Sequence, residues 1–338
     1  MNTLVCKSPG LFNYEEKSIP DLKKGDVLVQ VKRVGICGTD LHAYKGTQPY
    51  FSYPRILGHE LAGIVKDHNG SSLCANEEEI TILPYFNCGN CVACKSNKEN
   101  CCVHLQVFGV HMDGGMCEYI VVPENSIVKS TGLNLDTLAM IEPFSIGAHG
   151  MRKAQLRKGE NVLIMGAGAI GLGAMEYARI HGANVIAMEM DATRLDFAKK
   201  YLNIEHTIHP KEEDVFEKLK SITRNEMPTV VVDATGNQKA INNGLLYLAH
   251  GGKYILIGLQ KEELIFSHPE FHKRETTLMS SRNANRVDFE WVIENIKNGN
   301  IHPENYISHR VKFKALKSVF ESFYQPAAKV IKIMVELD

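Results

Sequence analysis

An apolar pentapeptide, Asn-Val-Leu-Ile-Met at 161–165, runs directly into Gly166-Ala-Gly168-Ala169-Ile170-Gly171 and then into a helically patterned segment reaching about His181. Few folds accept that order. Glycines at the first, third and sixth places allow a tight turn, a close backbone approach to phosphate, and close packing of the next helix on the strand. The start of that helix presents unpaired N–H groups, which stabilise an anionic diphosphate. A second apolar strand, NVIAMEM, brings Glu189 to its end, 18 residues beyond Gly171, where a carboxylate can accept from ribose hydroxyls. The segment predicts a dinucleotide-binding βαβ unit. Arg194, five residues beyond Glu189 in DATRLDF, is placed to swing towards adenine or phosphate.

The same texture continues: a helix through 193–202, then the runs VVVDATG (230–236) and GKYILIG (252–258). Strand, helix and strand in alternation imply a parallel sheet buried on both faces. Residues 1–150 read differently. VLVQVKRVG (27–35), LAGIVKDH (61–68), EITILPY (79–85) and CEYIVVP (117–123) are short β-branched runs between Gly, Pro and Asn, which predicts an irregular β-rich domain. The last 50 or so residues return to an amphipathic helix, DFEWVIENIKNG, and two extended pieces, YISHRVKF and KVIKIMVEL.

At 338 residues the chain is long enough for two domains, and 38 basic against 39 acidic side chains give no electrostatic footprint for nucleic acid or an anionic membrane. The longest apolar stretch, 162–175, is broken by four glycines and is too short to span a bilayer. The opening MNTLVCKSPGLF lacks the pattern of an export signal, so a cytoplasmic location is expected.

Cys88, Cys91 and Cys94 are spaced three apart, with Cys101 and Cys102 following after KSNKEN. In a reducing compartment such a cluster reads as a closed tetrahedral zinc site; spacing leaves open which of Cys101 and Cys102 is the fourth ligand. A dispersed group, Cys37 in GICGTDLH, His59 and Glu60 in GHE, and Glu142 in IEPF, offers a thiolate, an imidazole and carboxylates. Three such ligands leave a fourth zinc position for water or a substrate oxygen, the pattern of a catalytic metal.

GICGTDLH, GHE, the cysteine lobe and GAGAIG, in this order over nearly the whole chain, resemble the zinc-dependent medium-chain alcohol/polyol dehydrogenases. The resemblance implies a GroES-like, partly open β-barrel catalytic domain at 1–147 and 286–338, and a doubly wound Rossmann domain at 148–285, with the active site in the cleft between them. It selects Cys102 as the fourth structural ligand, eight positions after Cys94. It assigns Cys37, His59, Glu60 and Glu142 to the catalytic zinc and leaves open which glutamate is bound at rest. It makes Thr39 a hydroxyl relay and His42 the terminal base, and it adds Gly258, Leu259 and Arg282 to the cofactor-binding residues. NAD and two zinc ions per chain are the implied cofactors, and a homodimer or homotetramer the implied assembly.

More narrowly, GTQPYFSYPRILGHE and HPEFHKRETTLMSSRNA are similar to the bacterial hexonate 5-dehydrogenases, which act on L-galactonate or L-gulonate. This implies a sugar-acid substrate whose carboxylate Arg282 grips with two parallel hydrogen bonds. Another polyol or amino alcohol, of the sorbitol or threonine kind, is the competing substrate. A zinc- and nucleotide-binding regulator without turnover is disfavoured by the complete set of site residues.

Overall fold

The strand Asp26–Ile36 organises the first half of the molecule. In the computed structural model, which describes residues 1–325 and 328–338, it pairs along one edge with Glu60–Asp67. Its other edge is shared: Tyr119–Pro123 covers residues 26–30 and the C-terminal strand Lys332–Glu336 covers residues 33–36. Val27, Val29 and Val31 point inward, and after an irregularity at 31–33 the inward set becomes Val34 and Ile36. A bulge inserts one residue and so exchanges the two faces of a strand whose side chains alternate with period two. The whole sheet has seven strands, closed off by Glu79–Ile82, Ile127–Lys129 and Ile307–Lys312. A hairpin, Asn2–Ser8 with Leu11–Glu16, packs Leu4, Val5 and Phe12 into the same core.

The second sheet has six parallel strands in the order 206–208, 184–188, 161–165, 230–233, 253–256 and 277–280. Numbered along the sheet by sequence, this is the 3-2-1-4-5-6 order of the dinucleotide-binding fold. Val162, Leu163, Ile164, Val230, Val231 and Val232 are wholly buried, as expected of strands covered on both faces.

Two compact units result, residues 1–142 with 302–338 and residues 143–301, and the division falls inside the helix Leu135–Ala154. The sequence reading put the boundaries at 147 and 286 and assigned the helix Arg286–Lys297 to the first domain. The structure corrects this. Asp288 of that helix accepts hydrogen bonds from His149 at 2.8 Å and Arg152 at 2.7 Å, and Trp291 packs on Tyr177 with ring centres 4.5 Å apart. These partners all belong to the second unit. Amphipathic periodicity shows that the helix has a buried face but carries no information about which core receives it.

Asp288 is 1% exposed, and its carboxylate also caps the helix by accepting from the Asn285 N–H. Burial alone would raise its pKa, but the His149 and Arg152 bonds outweigh burial and hold it below the usual carboxylate range. Asp288→Ala is expected to cost about 3 kcal/mol in urea unfolding at neutral pH. Because the folded pKa is depressed, the contribution is present above the unfolded carboxylate pKa and is lost as pH falls through the folded value. The difference between wild type and variant should therefore shrink on acidification.

Candidate active site

Cys37 sits at the junction where the strand Asp26–Ile36 ends and the helix Gly38–Lys45 begins, and it is the N-cap of that helix. Asp40, three residues on, returns its carboxylate to the Cys37 N–H at 2.9 Å, completing a capping box. The other oxygen of Asp40 accepts from the Gly58 N–H at 3.1 Å and lies 3.9 Å from His59 Nδ1. One buried carboxylate thus ties the Cys37 turn to the segment that carries His59 and Glu60. The ligand atoms of Cys37, His59 and Glu60 all lie within 4.8 Å of one another.

Glu60 is pinned from the far side. Both of its carboxylate oxygens accept from Lys332 Nζ at 2.6 Å, and Lys332 also donates to the Ile36 carbonyl at 3.3 Å. A Cβ at Gly35 would lie 2.1 Å from Glu60 Oε2, so this part of the strand admits only glycine. Glu142 is buried beside the same charges and accepts a hydrogen bond from the Tyr85 hydroxyl. Burial first, and then the Glu60 charge, push Glu142 up to about 7. Burial lowers the affinity of His59 for a proton, but the Cys37 and Asp40 charges reverse this and lift it well above its ordinary value. The site has an excess of buried negative charge and favours a cation.

In the cysteine lobe, the sulfurs of Cys88, Cys91, Cys94 and Cys102 lie within 4.8 Å of one another, and Cys101 stands outside that group. The Cys94 and Val103 N–H groups pull the Cys91 thiol down to about 6, favouring the thiolate a metal needs.

In the second unit, Gly166 takes a φ of +96°, and a Cβ on Gly171 would meet the Gly166 carbonyl oxygen at 1.9 Å. Gly168 caps the helix Ala169–Ile180, whose first turn holds Ala169 and Ile170. Glu189 does more than stand at a strand end: it accepts from the N–H groups of Ala167 and Met190 at 2.7 Å and of Asp191 at 3.1 Å. It joins the glycine loop to the next turn and holds its carboxylate beside the glycine-loop backbone. Arg194 Nη1 is 3.9 Å from Glu189 and a similar distance from where a Gly168 Cβ would be. Gly258 and Leu259 follow the strand Lys253–Leu256, and Arg282 follows the strand Thr277–Ser280 in an exposed position.

Residues 23–132 match the alcohol dehydrogenase GroES-like domain family, and residues 169–298 match the zinc-binding dehydrogenase family. The chain is 41% identical to the L-galactonate-5-dehydrogenase of Escherichia coli K12, over 95% of this chain and 94% of that one. It belongs to the zinc-dependent medium-chain alcohol/polyol dehydrogenases. The structure of the E. coli CFT073 alcohol dehydrogenase rspB, complexed with NADH, superposes with a TM-score of 0.93 at 30% identity, covering 100% and 99% of the two chains. A zinc-binding dehydrogenase from Sinorhizobium meliloti 1021 bound to NADP gives 0.90 at 27% identity, covering 99% of each chain.

The donor sets of this dehydrogenase fit the metals its family implies. Four convergent thiols suit a closed zinc site, and a thiol, an imidazole and a carboxylate with surplus negative charge suit an open one. His59 Nδ1 is buried without a hydrogen-bond partner among the described residues, with the Asp40 carboxylate 3.9 Å away. Thr39 and His42 lie on the helix that Cys37 begins. His42 Nδ1 lies 2.9 Å from the Thr47 hydroxyl, which also donates to the His42 carbonyl at 3.3 Å. The enzyme is an oxidoreductase acting on CH–OH donors, and three residues that contact the candidate ligands escape the sequence reading: Asp40, Tyr85 and Lys332. The C-x-x-D spacing of a capping box could have revealed Asp40, and a lysine inside the apolar run KVIKIMVEL could have revealed Lys332. Tyr85 carried no such signal.

Lys332→Ala would leave Glu60 buried without its cation. In zinc-loaded protein it is expected to lower the unfolding free energy by roughly 3–5 kcal/mol, measured by urea denaturation.

Proposed function

We propose that the enzyme oxidises the C5 secondary alcohol of an L-hexonate, L-galactonate to D-tagaturonate or L-gulonate to D-fructuronate, with hydride transfer to NAD. The likeness to L-galactonate-5-dehydrogenase over nearly the whole chain carries this reading. Zinc held by Cys37, His59 and a glutamate would polarise the substrate hydroxyl, and NAD would accept the hydride. The protein's own residues do the rest. The Thr39 hydroxyl passes the released proton onward, and the His42 imidazole takes it up. Glu60, tethered by Lys332, and Glu142, tethered by Tyr85, are the two carboxylates that can serve the metal, and the grouping of Glu60 with Cys37 and His59 favours it at rest.

Gly166, Gly168, Ala169, Ile170 and Gly171 form the diphosphate cradle, with Gly258 and Leu259 at its side and Arg194 over it. Glu189 accepts from the adenosine ribose and repels a 2′-phosphate, which favours NAD over NADP. Arg282 grips the substrate carboxylate, so that C5 rather than another carbinol carbon meets the nicotinamide. The outer strand Thr277–Ser280 has one strand neighbour among the described residues and exposes Leu278, which supports a homodimer or homotetramer. Cysteines used as metal ligands rather than in disulfides support a cytoplasmic location. No described helix is long and apolar enough to cross a membrane.

Metal analysis should return about two zinc equivalents per chain, one at each donor set. Cys37→Ser is expected to abolish turnover and keep the fold, whereas Cys91→Ser should lower thermal stability. One tightly bound equivalent in fully active protein would refute the two-site assignment.

NADH formation with L-galactonate, L-gulonate, sorbitol and threonine decides the substrate. A hexonate should show the highest kcat/KM, and NADP in place of NAD should lower it. Arg282→Ala should reduce kcat/KM for the hexonate roughly tenfold or more while leaving a neutral polyol nearly unchanged, since a charge-assisted pair is lost only with the acid. A higher kcat/KM for sorbitol or threonine would move the enzyme to a polyol or amino-alcohol role. An equal Arg282→Ala penalty on both substrate types would assign that arginine to the cofactor.

A further inference from the structure

Asp233 is the last residue of the strand Val230–Asp233, which pairs directly with Asn161–Met165, and Met165 and Asp233 are register partners. Strands 161–165 and 230–233 flank the point where the strand order reverses, the place where open parallel sheets bind ligands beyond their carboxyl ends. Asp233 is fully buried. Among the described residues no lysine, arginine or histidine forms an ion pair with it, and its hydrogen bonds come from the turn that follows. Oδ1 accepts from the Thr235 N–H at 3.2 Å and from the Thr235 hydroxyl, and Oδ2 accepts from the Gly236 N–H at 3.1 Å. Its carbonyl oxygen accepts from the N–H groups of Ile257 at 2.9 Å and Gly258 at 3.0 Å.

Three loops meet at this residue with almost no space between their backbones. A Cβ on Gly258 would lie 2.2 Å from Gly236 N and 2.5 Å from Asp233 Oδ2, and one on Gly236, where φ is +60°, would lie 2.7 Å from the Leu259 carbonyl oxygen. On the other side, a Cβ on Gly166 would touch the Thr235 methyl group at 3.0 Å. The glycine loop, the 234–236 turn and the 257–259 segment therefore stand or shift together.

We infer that Asp233 is a positioning residue for the dinucleotide, its carboxylate fixing the 234–236 turn so that the glycine loop and Gly258 are held ready before the cofactor arrives. The inference rests on the dinucleotide reading of this unit and not on the identity of the substrate. An ionised carboxylate is the fitting group because it only accepts hydrogen bonds and here meets only donors. An amide of the same size would turn a second donor towards one of them. The turn would loosen, and the cofactor would have to order it on binding.

Trp291 is the single tryptophan, so quenching of its emission on NADH addition reports dinucleotide affinity without any substrate present. Asp233→Asn is expected to raise the Kd for NADH roughly tenfold, in line with the loss of one hydrogen bond to a charged group. In turnover, KM for NAD should rise by a similar factor while kcat at saturating NAD stays close to wild type and zinc content is unchanged. A Kd within twofold of wild type together with a lowered Tm would overturn the inference and leave Asp233 a fold determinant only. Amide hydrogen exchange of the wild-type chain tests the same point with no variant. Slow exchange at Thr235 and Gly236 before NADH is added is expected, and fast exchange that becomes slow only with NADH would overturn it. Failure of both hexonates as substrates would sink the substrate assignment and leave the NADH measurement standing.

Discussion

Asp40, Glu60 and Glu142 are gathered around His59 out of water, with Cys37 beside them, and much of the first unit's local architecture serves to make that tolerable. An isolated buried carboxylate is strongly disfavoured, and several in one place repel each other. Each acidic group is therefore given its own partner: backbone N–H groups for Asp40, the Tyr85 hydroxyl for Glu142, and Lys332 for Glu60. Lys332 itself illustrates the balance. Burial would lower its proton affinity, but the Glu60 and Cys37 charges more than offset this, so it stays charged where it is needed. The negative charge that remains calls for a cation, and the soft thiolate and imidazole among the donors suit zinc.

The backbone is shaped around this requirement. The bulge in Asp26–Ile36 exchanges its faces before the strand reaches Cys37, and Gly35 leaves the space into which the Glu60 carboxylate folds. The C-terminal strand then supplies the counter-charge from a point 272 residues away in sequence. The second unit solves the opposite problem with the same chemistry. There a bound dinucleotide would bring the negative charge, to which loops with free N–H groups and glycines without side chains are suited. Glu189 and Asp233 each bind backbone N–H groups of the turns near the cofactor side, so both hold those turns in shape through acceptors placed in advance.

The cysteine cluster, GHE and the glycine loop were legible because their chemistry needs particular residue types at short, fixed spacings. The parallel sheet was legible because strands buried on both faces leave uninterrupted β-branched runs. The helix Arg286–Lys297 was assigned to the wrong core because its amphipathic pattern records a buried face and not what covers it; His149, Arg152 and Tyr177 supply that cover. Glu142 is legible as a candidate ligand in IEPF, whereas the long helix Leu135–Ala154 that carries it has Pro143 inside it and gives no clear helical signal.

Sequence by itself determined the family and singled out the cysteine cluster, Cys37 with His59 and Glu60, the glycine-rich turn and Glu189, since each is encoded by residues close in the chain or by their order along it. Only the tertiary structure decided that Lys332 and Tyr85 hold the two glutamates, that the helix Arg286–Lys297 packs on His149, Arg152 and Tyr177, and that Asp233 gathers three loops. Those facts depend on contacts between residues far apart in sequence, where pairing and burial, rather than spacing, determine which charge meets which partner.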